Sequence, residues 1–345
     1  MGKFKNASDI RVGVVGYGGA FKMGPHHLGE MKRAGMTPMA VADPDKARLK
    51  AAQEDWPGIQ TFTSLPAMLA GCDVNLVTII TPHNTHADLA VQALKAGRHV
   101  VCEKPLAITT AECDAMIAAA KKNGLVVSTY HNRHWDGTIL QAMKDIGGGM
   151  IGEVFRVEAH MGGYYKPGDW WRGSKSISGG IMYDWGVHLL EYSLQVLGPK
   201  ARIGEVSGFA HKGFWASQTK WKSDCVEDEG FAVVRFKDGQ YLTLLMTGID
   251  SNPKRGWVEF TGTKGSYVMD WQYNECITRL YDTWTTTRIQ NPPSEGWKFY
   301  QNIADHLVKG EKLVITGQWA RRPIHILDLA NQSVILGKPM KAKYE

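Results

Sequence analysis

The chain has 345 residues, of which 43% are hydrophobic and 21% are charged. This length suits two domains, and the composition excludes extensive disorder. The formal net charge of +6 comes from scattered Lys and Arg residues, so no nucleic-acid-binding surface is indicated. No window reaches the roughly 18 apolar residues of a membrane span, and the N-terminus lacks an apolar signal core. With five widely spaced cysteines and no C-x-x-C pair, we expect a cytoplasmic protein.

The first third of the chain alternates short apolar runs with segments of helical periodicity. The predicted strands are 10–15, 38–42, 74–80, 99–101 and 125–128, and the predicted helices are 26–34, 44–54, 85–96 and 109–122. Apolar strands separated by helices of roughly 10–15 residues indicate a parallel sheet covered on both faces. We therefore predict a doubly wound α/β domain, a Rossmann fold, over residues 1–128.

The pattern changes in the second part of the chain. Helices are predicted at 137–146, 296–309 and 318–336, and a longer strand at 152–160. A further helix is predicted from Ser178, as its cap, to Leu197, before Gly198-Pro199. Consecutive strand-like runs over 202–280 indicate an antiparallel sheet with this helix on one face. Residues 129–345 are therefore predicted to form an α+β domain with an open, largely antiparallel sheet.

A glycine-rich turn, Gly16-Tyr17-Gly18-Gly19, directly follows the first predicted strand. Such a turn lets the backbone approach a pyrophosphate, and the next helix directs its amides at the charge. Phe21 stands where Gly or Ala is usual in G-x-G-x-x-G. Asp43 lies 24 residues after Gly19, close to the roughly 20 expected of the acidic residue that binds ribose hydroxyls. A carboxylate there repels a 2′-phosphate, so the sequence predicts NAD rather than NADP.

Two further groups of residues carry chemistry. Glu103-Lys104-Pro105 follows the strand at 99–101, on the carboxyl side of the predicted sheet, where open α/β sheets bind ligands. Asp184 and His188 are four residues apart on the predicted helix. Residues at this spacing share one helix face, so a carboxylate and an imidazole are expected to address one ligand together.

With these motifs the chain resembles the Gfo/Idh/MocA family, named after glucose–fructose oxidoreductase, inositol dehydrogenase and rhizopine catabolism. The matching stretches are Val14–Gly19, Thr81-Pro82 with His86, Glu103-Lys104-Pro105, Arg133, and Gly179-Gly180 leading to Asp184–His188. They extend from about residue 10 to residue 190. The resemblance implies a Rossmann domain followed by an α/β domain that binds substrate and whose open sheet mediates oligomerisation. We therefore expect a homodimer or a homotetramer.

The resemblance also implies roles for individual residues. It makes Lys104 an active-site residue, and it assigns Asp184 and His188 to the substrate site. The expected neighbours of the nicotinamide ribose are Thr81, Pro82, Asn84 and His86. Glu103 and Lys104 extend the expected cofactor site, and Lys104 and Arg133 belong to the expected substrate site.

The chemistry implied is the oxidation of a secondary alcohol or its reverse. The nicotinamide takes the hydride, and the protein takes the hydroxyl proton. His188 is the predicted general base, because an imidazole titrates near neutral pH. Lys104 is expected to stabilise the alkoxide or to relay the proton, and these two roles can be exchanged. Asp184 would orient substrate hydroxyls or the imidazole. We predict a dehydrogenase acting on the CH–OH group of a sugar, a glycoside or a cyclitol.

An aromatic segment precedes the predicted catalytic helix. Aromatic rings offer apolar faces to the C–H side of a sugar ring, and a guanidinium binds hydroxyls or a carboxylate. The predicted substrate-binding residues here are Tyr165, Trp171 and Arg172, with Trp185 as the main stacking partner. The close histidine pairs His131 with His134 and His26 with His27 lack further ligands at a zinc-like spacing. No metal site is therefore predicted.

Two other functions remain open at this stage. One is a glycoside-cleaving enzyme that oxidises a sugar hydroxyl, eliminates the aglycone and regenerates its NAD. The other is a dinucleotide-binding regulator without enzymatic activity. Retention of Lys104, Asp184 and His188 argues against the regulator.

Overall fold

The structure is a computed structural model that describes residues 3–18 and 22–344. The chain forms two compact units. The first consists of Met1–Asn132 and Trp297–Arg322, and the second of Arg133–Gly296 and Pro323–Glu345. Each unit contains one sheet and its own hydrophobic core.

In the first unit, the described residues form a six-stranded parallel sheet. Its strands are β1 (Arg11–Val15), β2 (Thr37–Ala42), β3 (Gln60–Phe62), β4 (Leu76–Ile79), β5 (His99–Cys102) and β6 (Val127–Thr129). The spatial order is β3-β2-β1-β4-β5-β6, and all neighbours run parallel. The order reverses between β1 and β4, the switch point at which open α/β sheets bind ligands. The predicted doubly wound fold is confirmed.

Helices connect these strands. They are α1 (Met23–Arg33), α2 (Lys46–Asp55), α3 (Leu65–Gly71), α4 (His86–Lys95) and α5 (Thr110–Lys122). Thr109 caps α5 reciprocally with Glu112, since the Glu112 amide donates to Thr109 Oγ1 and the Thr109 amide donates to Glu112 Oε2. The sequence did not predict β3 or α3. Both are short, with three and seven residues, so neither is long enough for its hydrophobic pattern to be recognised.

The second unit is built on a mixed sheet. Its strands are β7 (Val154–Gly162), β8 (Ile203–His211), β9 (Glu229–Phe236), β10 (Tyr241–Thr247), β11 (Val258–Gly262), β12 (Gly265–Met269), β13 (Tyr273–Leu280), β14 (Thr283–Gln290) and β15 (Met340–Lys341). The order of these described strands is β14-β13-β12-β11-β7-β10-β9-β8-β15. β7 and β10 pair in parallel, whereas the other neighbouring pairs are antiparallel. This confirms the largely antiparallel sheet.

The second unit also contains α6 (Gly137–Gly147), α7 (Lys175–Ser178) and α8 (Gly186–Leu197). Of these, α8 and α6 cover one face of the sheet, with α8 against β7 and β10 and α6 against β12 and β13. β10 alternates buried and half-exposed residues, and its buried Leu244 contacts the start of α8, since a Cβ at Gly186 would lie 3.2 Å from Leu244 Cδ2. The other face of the sheet is less buried, which agrees with the open sheet expected from the sequence.

The predicted continuous helix from Ser178 to Leu197 is wrong. Gly179 and Gly180 have φ angles of +93° and +122°, which glycine adopts most readily, and they end α7. Ser178 does not cap α8; its hydroxyl donates to the carbonyl of Ser174 instead. Asp184 therefore precedes α8, whereas His188 lies in its first turn. The two residues do not share one face of a continuous helix.

Two helices complete the chain, α9 (Lys298–Lys309) and α10 (Gly317–Leu336), as the sequence predicts. Residues 297–322 belong to the first unit, whereas the sequence-based boundary assigns them to the second domain. The physical reason lies in α9. Its Phe299 and Tyr300 are buried, and the Tyr300 hydroxyl lies 2.7 Å from His27 Nδ1 on α1.

Candidate functional site

The glycine turn follows β1 at the switch point of the first unit. Gly16 and Gly18 have φ angles of +91° and +63°. A Cβ at Gly16 would lie 2.6 Å from the carbonyl oxygen of Ile80, so the turn runs directly against the chain that leaves β4. Only glycine fits this approach without displacing the backbone. Gly19, predicted to contact the cofactor, lies outside the described residues.

Asp43 follows β2 and connects it to the glycine turn. Its Oδ2 accepts the Tyr17 amide at 2.8 Å, and its Oδ1 accepts the Asp45 amide at 2.9 Å. The residue is 6% exposed. Each carboxylate oxygen has room for a second hydrogen bond, so the group fits the ribose hydroxyls of a dinucleotide.

The side chain of Tyr17 is part of the core. Its hydroxyl donates to Asp55 Oδ2 at 2.9 Å, and both burial and this carboxylate raise the pKa of Tyr17. A Cβ at Gly24 would lie 2.6 Å from Tyr17 Cδ2, so the start of α1 packs on the ring. The Tyr17 hydroxyl is therefore engaged by Asp55, and its backbone amide by Asp43.

The loop after β4 carries the residues expected at the nicotinamide ribose. Thr85 Oγ1 lies 2.7 Å from Thr81 Oγ1 and 2.7 Å from the Pro82 carbonyl, which makes the loop a tight turn. Asn84 is exposed. His86 is fully buried. Thr81, Pro82 and Asn84 thus remain accessible at the carboxyl edge of the sheet, whereas His86 points into the protein.

The His86 ring joins the loops that follow β4 and β5. Its Nε2 lies 2.8 Å from the carbonyl oxygen of Thr81, and its Nδ1 lies 2.9 Å from that of Pro105. Burial lowers the pKa of His86, although both carbonyl hydrogen bonds oppose this effect. His86 therefore holds the backbone on the far side of Lys104.

Glu103 and Lys104 follow β5. The Glu103 carboxylate points inward, with Oε1 at 2.9 Å from His27 Nε2 and Oε2 accepting the Lys104 amide at 2.8 Å. Burial opposes ionisation of Glu103, but the hydrogen bond and charge of His27 and the charge and amide of Lys104 outweigh it and lower its pKa. Lys104 is partly exposed, and the Lys104–Pro105 peptide bond is cis. Thus the Glu103 carboxylate contacts His27 and the backbone of Lys104, and its side chain is only 13% exposed.

In the second unit, Arg172 and Asp184 form an ion pair. Arg172 Nη1 lies 3.0 Å from each carboxylate oxygen. The guanidinium lies over the rings of Trp170 and Trp171, at 5.0 and 5.2 Å from their centroids. Burial and the Asp184 charge raise the pKa of the nearby Tyr165. The predicted residues Tyr165, Trp171, Arg172 and Asp184 are therefore close together.

A second group surrounds Trp185. The His188 ring is 4% exposed and lies 5.4 Å from the Trp185 ring. The Arg133 guanidinium lies 4.7 Å from the centroid of the same indole, and Arg133 Nη1 donates to Asp136 Oδ2 at 2.9 Å. Burial works against the charge of Arg133, but Tyr192 and Asp136 outweigh it and raise the pKa of Arg133. Arg133, Trp185 and His188 are thus brought together.

Two residues that contact the candidate site residues were not predicted from the sequence, Trp271 and His27. Trp271 packs against Trp185 at 5.6 Å between ring centroids and lies 5.6 Å below the Arg133 guanidinium. It comes far later in the chain, in a strand-rich region without a local motif. His27 was considered only as part of a histidine pair. Its place in the segment after the glycine turn was the one available signal.

Two family models match the chain. Residues 10–131 match the oxidoreductase family with an NAD-binding Rossmann fold, and residues 139–268 match the GFO/IDH/MocA C-terminal domain. The chain belongs to the Gfo/Idh/MocA family. The first unit of this family member is therefore an NAD-binding Rossmann domain, and the family is one of oxidoreductases.

Individual relatives agree with this assignment. The chain is 34% identical to the uncharacterized oxidoreductase YdgJ of Escherichia coli (strain K12) over 196 residues, 56% of this chain and 55% of that protein. It thus spans about half the length of that relative. It is 24% identical to the scyllo-inositol 2-dehydrogenase (NADP(+)) IolW of Bacillus subtilis (strain 168) over 95% of each chain. A solved NAD-binding protein from Listeria innocua superposes with a TM-score of 0.80 at 26% identity, covering 98% and 97% of the two chains.

Two global features of this Gfo/Idh/MocA member complete the description. Across residues 3–18 and 22–344, every helix is too short or too polar to cross a membrane. Over the same part of the chain, no three side chains of His, Cys, Asp or Glu lie together as metal ligands.

Proposed function

We propose that the protein is an NAD-dependent dehydrogenase that moves a hydride between NAD and a secondary alcohol of a sugar, a glycoside or a cyclitol. One observation carries the proposal. A lysine at the carboxyl edge of the NAD-binding sheet, Lys104, has its backbone held by Glu103 on one side and, through Pro105, by His86 on the other. A group that stabilises the charge developing in the transition state must be held in a fixed position, and these contacts hold the backbone of Lys104.

The cofactor site is proposed from the residues that fit a dinucleotide. The close approach at Gly16 and the left-handed backbone of Gly18 suit a pyrophosphate, and Asp43 suits the ribose hydroxyls. When bound, the nicotinamide supplies the hydride acceptor. IolW is linked to NADP(+), so the preference for NAD in this chain is argued from Asp43, whose carboxylate disfavours a 2′-phosphate.

The chain's own residues handle the proton and the alcohol. The His188 imidazole takes the hydroxyl proton as general base, since a neutral imidazole has a ring nitrogen that accepts a proton. The Lys104 ammonium stabilises the alkoxide charge and can relay the proton. Asp184, held by Arg172, accepts hydrogen bonds from neighbouring hydroxyls of the substrate.

The aromatic residues of the second unit support a cyclic polyol as substrate. Tyr165, Trp171 and Trp185 provide rings for the C–H face of such a molecule, and Arg172 and Arg133 provide donors for its hydroxyls. IolW acts on scyllo-inositol, which supports a cyclitol or a related sugar.

We also propose a homo-oligomer assembled through the open sheet face, where Phe209 is 57% exposed beside Phe231.

The test is a panel of polyols and glycosides incubated with NAD while NADH absorbance is followed. We expect NADH formation with at least one of them. Lys104→Ala should lower kcat about 10²–10³-fold, the loss usual for a charge-stabilising group, while NAD still binds in calorimetry. Lys122→Ala, at the exposed end of α5, is the matched control and should retain activity. Normal turnover by Lys104→Ala would refute its role.

The same panel separates the other functions. Absence of turnover with every compound, despite NAD binding, would favour a regulator. Cleavage of a glycoside without accumulation of NADH would favour redox-assisted elimination. Either outcome would overturn the proposed net dehydrogenation.

A further inference from the structure

His27 is a buried polar residue that the proposed reaction does not use. It lies on α1 with 0% exposure, next to the core residue Leu28. Both ring nitrogens have partners, since Nδ1 lies 2.7 Å from the Tyr300 hydroxyl and Nε2 lies 2.9 Å from Glu103 Oε1. A buried imidazole is tolerated only when both of its nitrogens have hydrogen-bond partners, and at this position both nitrogens have one.

The chemistry of these partners fixes the direction of the hydrogen bonds. The low pKa of Glu103 keeps the carboxylate ionised, and an ionised carboxylate only accepts hydrogen bonds. His27 Nε2 must therefore donate to Glu103. The Tyr300 hydroxyl faces Nδ1 and also lies 3.4 Å from Thr78 Oγ1, so it sets the orientation of the ring from the other side.

The Glu103 carboxylate passes this constraint to the backbone of Lys104. Its Oε1 is held by His27, and its Oε2 accepts the Lys104 amide at 2.8 Å. With both oxygens engaged, the carboxylate cannot rotate without losing a charge-assisted hydrogen bond. The Lys104 amide is thus held by a chain of contacts that begins on α1, the helix after the glycine turn.

We propose that His27 is a positioning residue: acting through Glu103, and itself oriented by Tyr300, it fixes the backbone from which Lys104 extends. This inference rests on the proposed function, because positioning matters only if Lys104 meets the reacting oxygen. Without the imidazole, Glu103 loses one of its two anchors and the Lys104 amide is released to solvent. A small displacement of the ammonium is enough to lower the rate of the chemical step.

The experiment compares four single variants and one double variant, which combines His27→Leu with Glu103→Gln. His27→Leu removes both polar contacts while keeping apolar bulk. His27→Gln retains an amide N–H that can donate to Glu103 and serves as the conservative rescue. Glu103→Gln keeps the shape but gives up one acceptor oxygen. His26→Gln is the matched control, because His26 is exposed and bonds Tyr130 at 2.8 Å instead of Glu103.

The first readout needs neither substrate nor cofactor. Residue-resolved hydrogen exchange should show that the Lys104 amide exchanges at least tenfold faster in His27→Leu and Glu103→Gln. It should stay protected in His27→Gln and His26→Gln, and amides of the buried strand β1 should remain unchanged. Equal protection of Lys104 in His27→Leu and the unmodified protein would overturn the proposal. Equally faster exchange throughout β1 would also overturn it, because it would indicate a structural role only.

The second readout is kinetic. His27→Leu and Glu103→Gln should each lower kcat about 100-fold with little change in KM for NAD, the size of effect that misplacement of a reacting group produces. The double variant should be no worse than either single variant, because both break one chain of contacts. If the losses of kcat in the two single variants add up in the double variant, His27 and Glu103 do not act through one series of contacts. If the unmodified protein oxidises no alcohol, the proposed function fails, while the exchange of the Lys104 amide still decides whether His27 positions it.

Discussion

Arg172 Nη1 bridges the two carboxylate oxygens of Asp184, with 3.0 Å to each. This ion pair fixes the orientation of a carboxylate that is 36% exposed, so hydroxyls of a bound substrate can approach it from solvent. Removing this partner in Arg172→Ala should raise KM for the alcohol about tenfold, which corresponds to one lost charge-assisted hydrogen bond. The effect on kcat should be smaller. Steady-state kinetics with a substrate from the panel measures both.

The ion pair is partly exposed, with 22% for the Arg172 side chain and 36% for that of Asp184. Its loss should therefore change the free energy of unfolding by no more than about 1 kcal/mol. Arg202→Ala is the control, since Arg202 forms a 2.8 Å surface pair with Asp238 that is more exposed, with 47% for Arg202 and 40% for Asp238. An unchanged KM in Arg172→Ala, or an equal increase in Arg202→Ala, would show that the Asp184 pair has no role in substrate binding.

Asp43 is expected to determine the choice between NAD and NADP. Asp43→Ala removes the carboxylate that would accept the ribose hydroxyls, so the ratio of kcat/KM for NAD to that for NADP should fall about tenfold or more. Calorimetric titration of both nucleotides provides an independent measurement.

Asp45→Ala tests whether that effect is specific. Asp45 caps α2 by accepting the Ala47 amide at 2.9 Å and is exposed, so its removal should cost about 1 kcal/mol of stability without changing the cofactor ratio. If Asp43→Ala leaves the ratio as it is in the unmodified protein, Asp43 does not bind the ribose.

Much of the fold follows from local pattern. β1, β4 and β5 are short, mostly apolar runs, and α5 carries its own capping box at Thr109, so a short window of sequence identifies each of them. The prediction of one continuous helix over 178–197 is wrong because it also relied on local pattern alone. The apolar periodicity is genuine from Gly186 onward, but Gly179 and Gly180 have positive φ angles that break the helix. Gly180 also lies against Glu227, a contact that the local sequence does not reveal.

The site was predictable only where its residues lie in motifs. Lys104 follows a strand within Glu103-Lys104-Pro105, so this motif predicts it as a site residue. The partners that hold it come from distant parts of the chain, His27 from α1 and Tyr300 from α9. A hydrogen bond that joins residues so far apart leaves no periodic or spacing signal, so only the folded chain reveals it.

The pH dependence of turnover should report on His188. A general base must be deprotonated, so kcat/KM should fall on the acid side of the profile as the imidazole gains its proton. His188→Asn removes the titrating group but keeps a hydrogen-bonding side chain, so the remaining activity should lose this acid limb. His306→Asn, an exposed histidine that bonds the Glu311 carbonyl, should retain the limb. An acid limb that persists in His188→Asn would point to Lys104 as the proton acceptor.

Gly180 links the stability of the second unit to the segment that carries Asp184. Its φ of +122° disfavours any other residue, and a Cβ there would lie 2.6 Å from Glu227 Oε2. Glu227 is 2% exposed, pairs with Lys175 and accepts the Ile181 amide at 3.1 Å. Gly180→Ala should therefore lose about 1–3 kcal/mol from backbone strain and a further 1–3 kcal/mol from displacing the buried carboxylate.

Gly213→Ala separates the two contributions. Gly213 has a similar φ of +110°, but an added Cβ would have no atom within 4 Å. Urea unfolding of both variants should show the larger loss for Gly180→Ala, and the difference measures the Glu227 contact. Gly180→Ala should also raise KM for the alcohol, because the shifted backbone leads directly to Asp184, whereas Gly213→Ala should not. Equal losses of stability in the two variants would mean that the carboxylate moves aside freely and that Gly180 is required for its backbone angle alone.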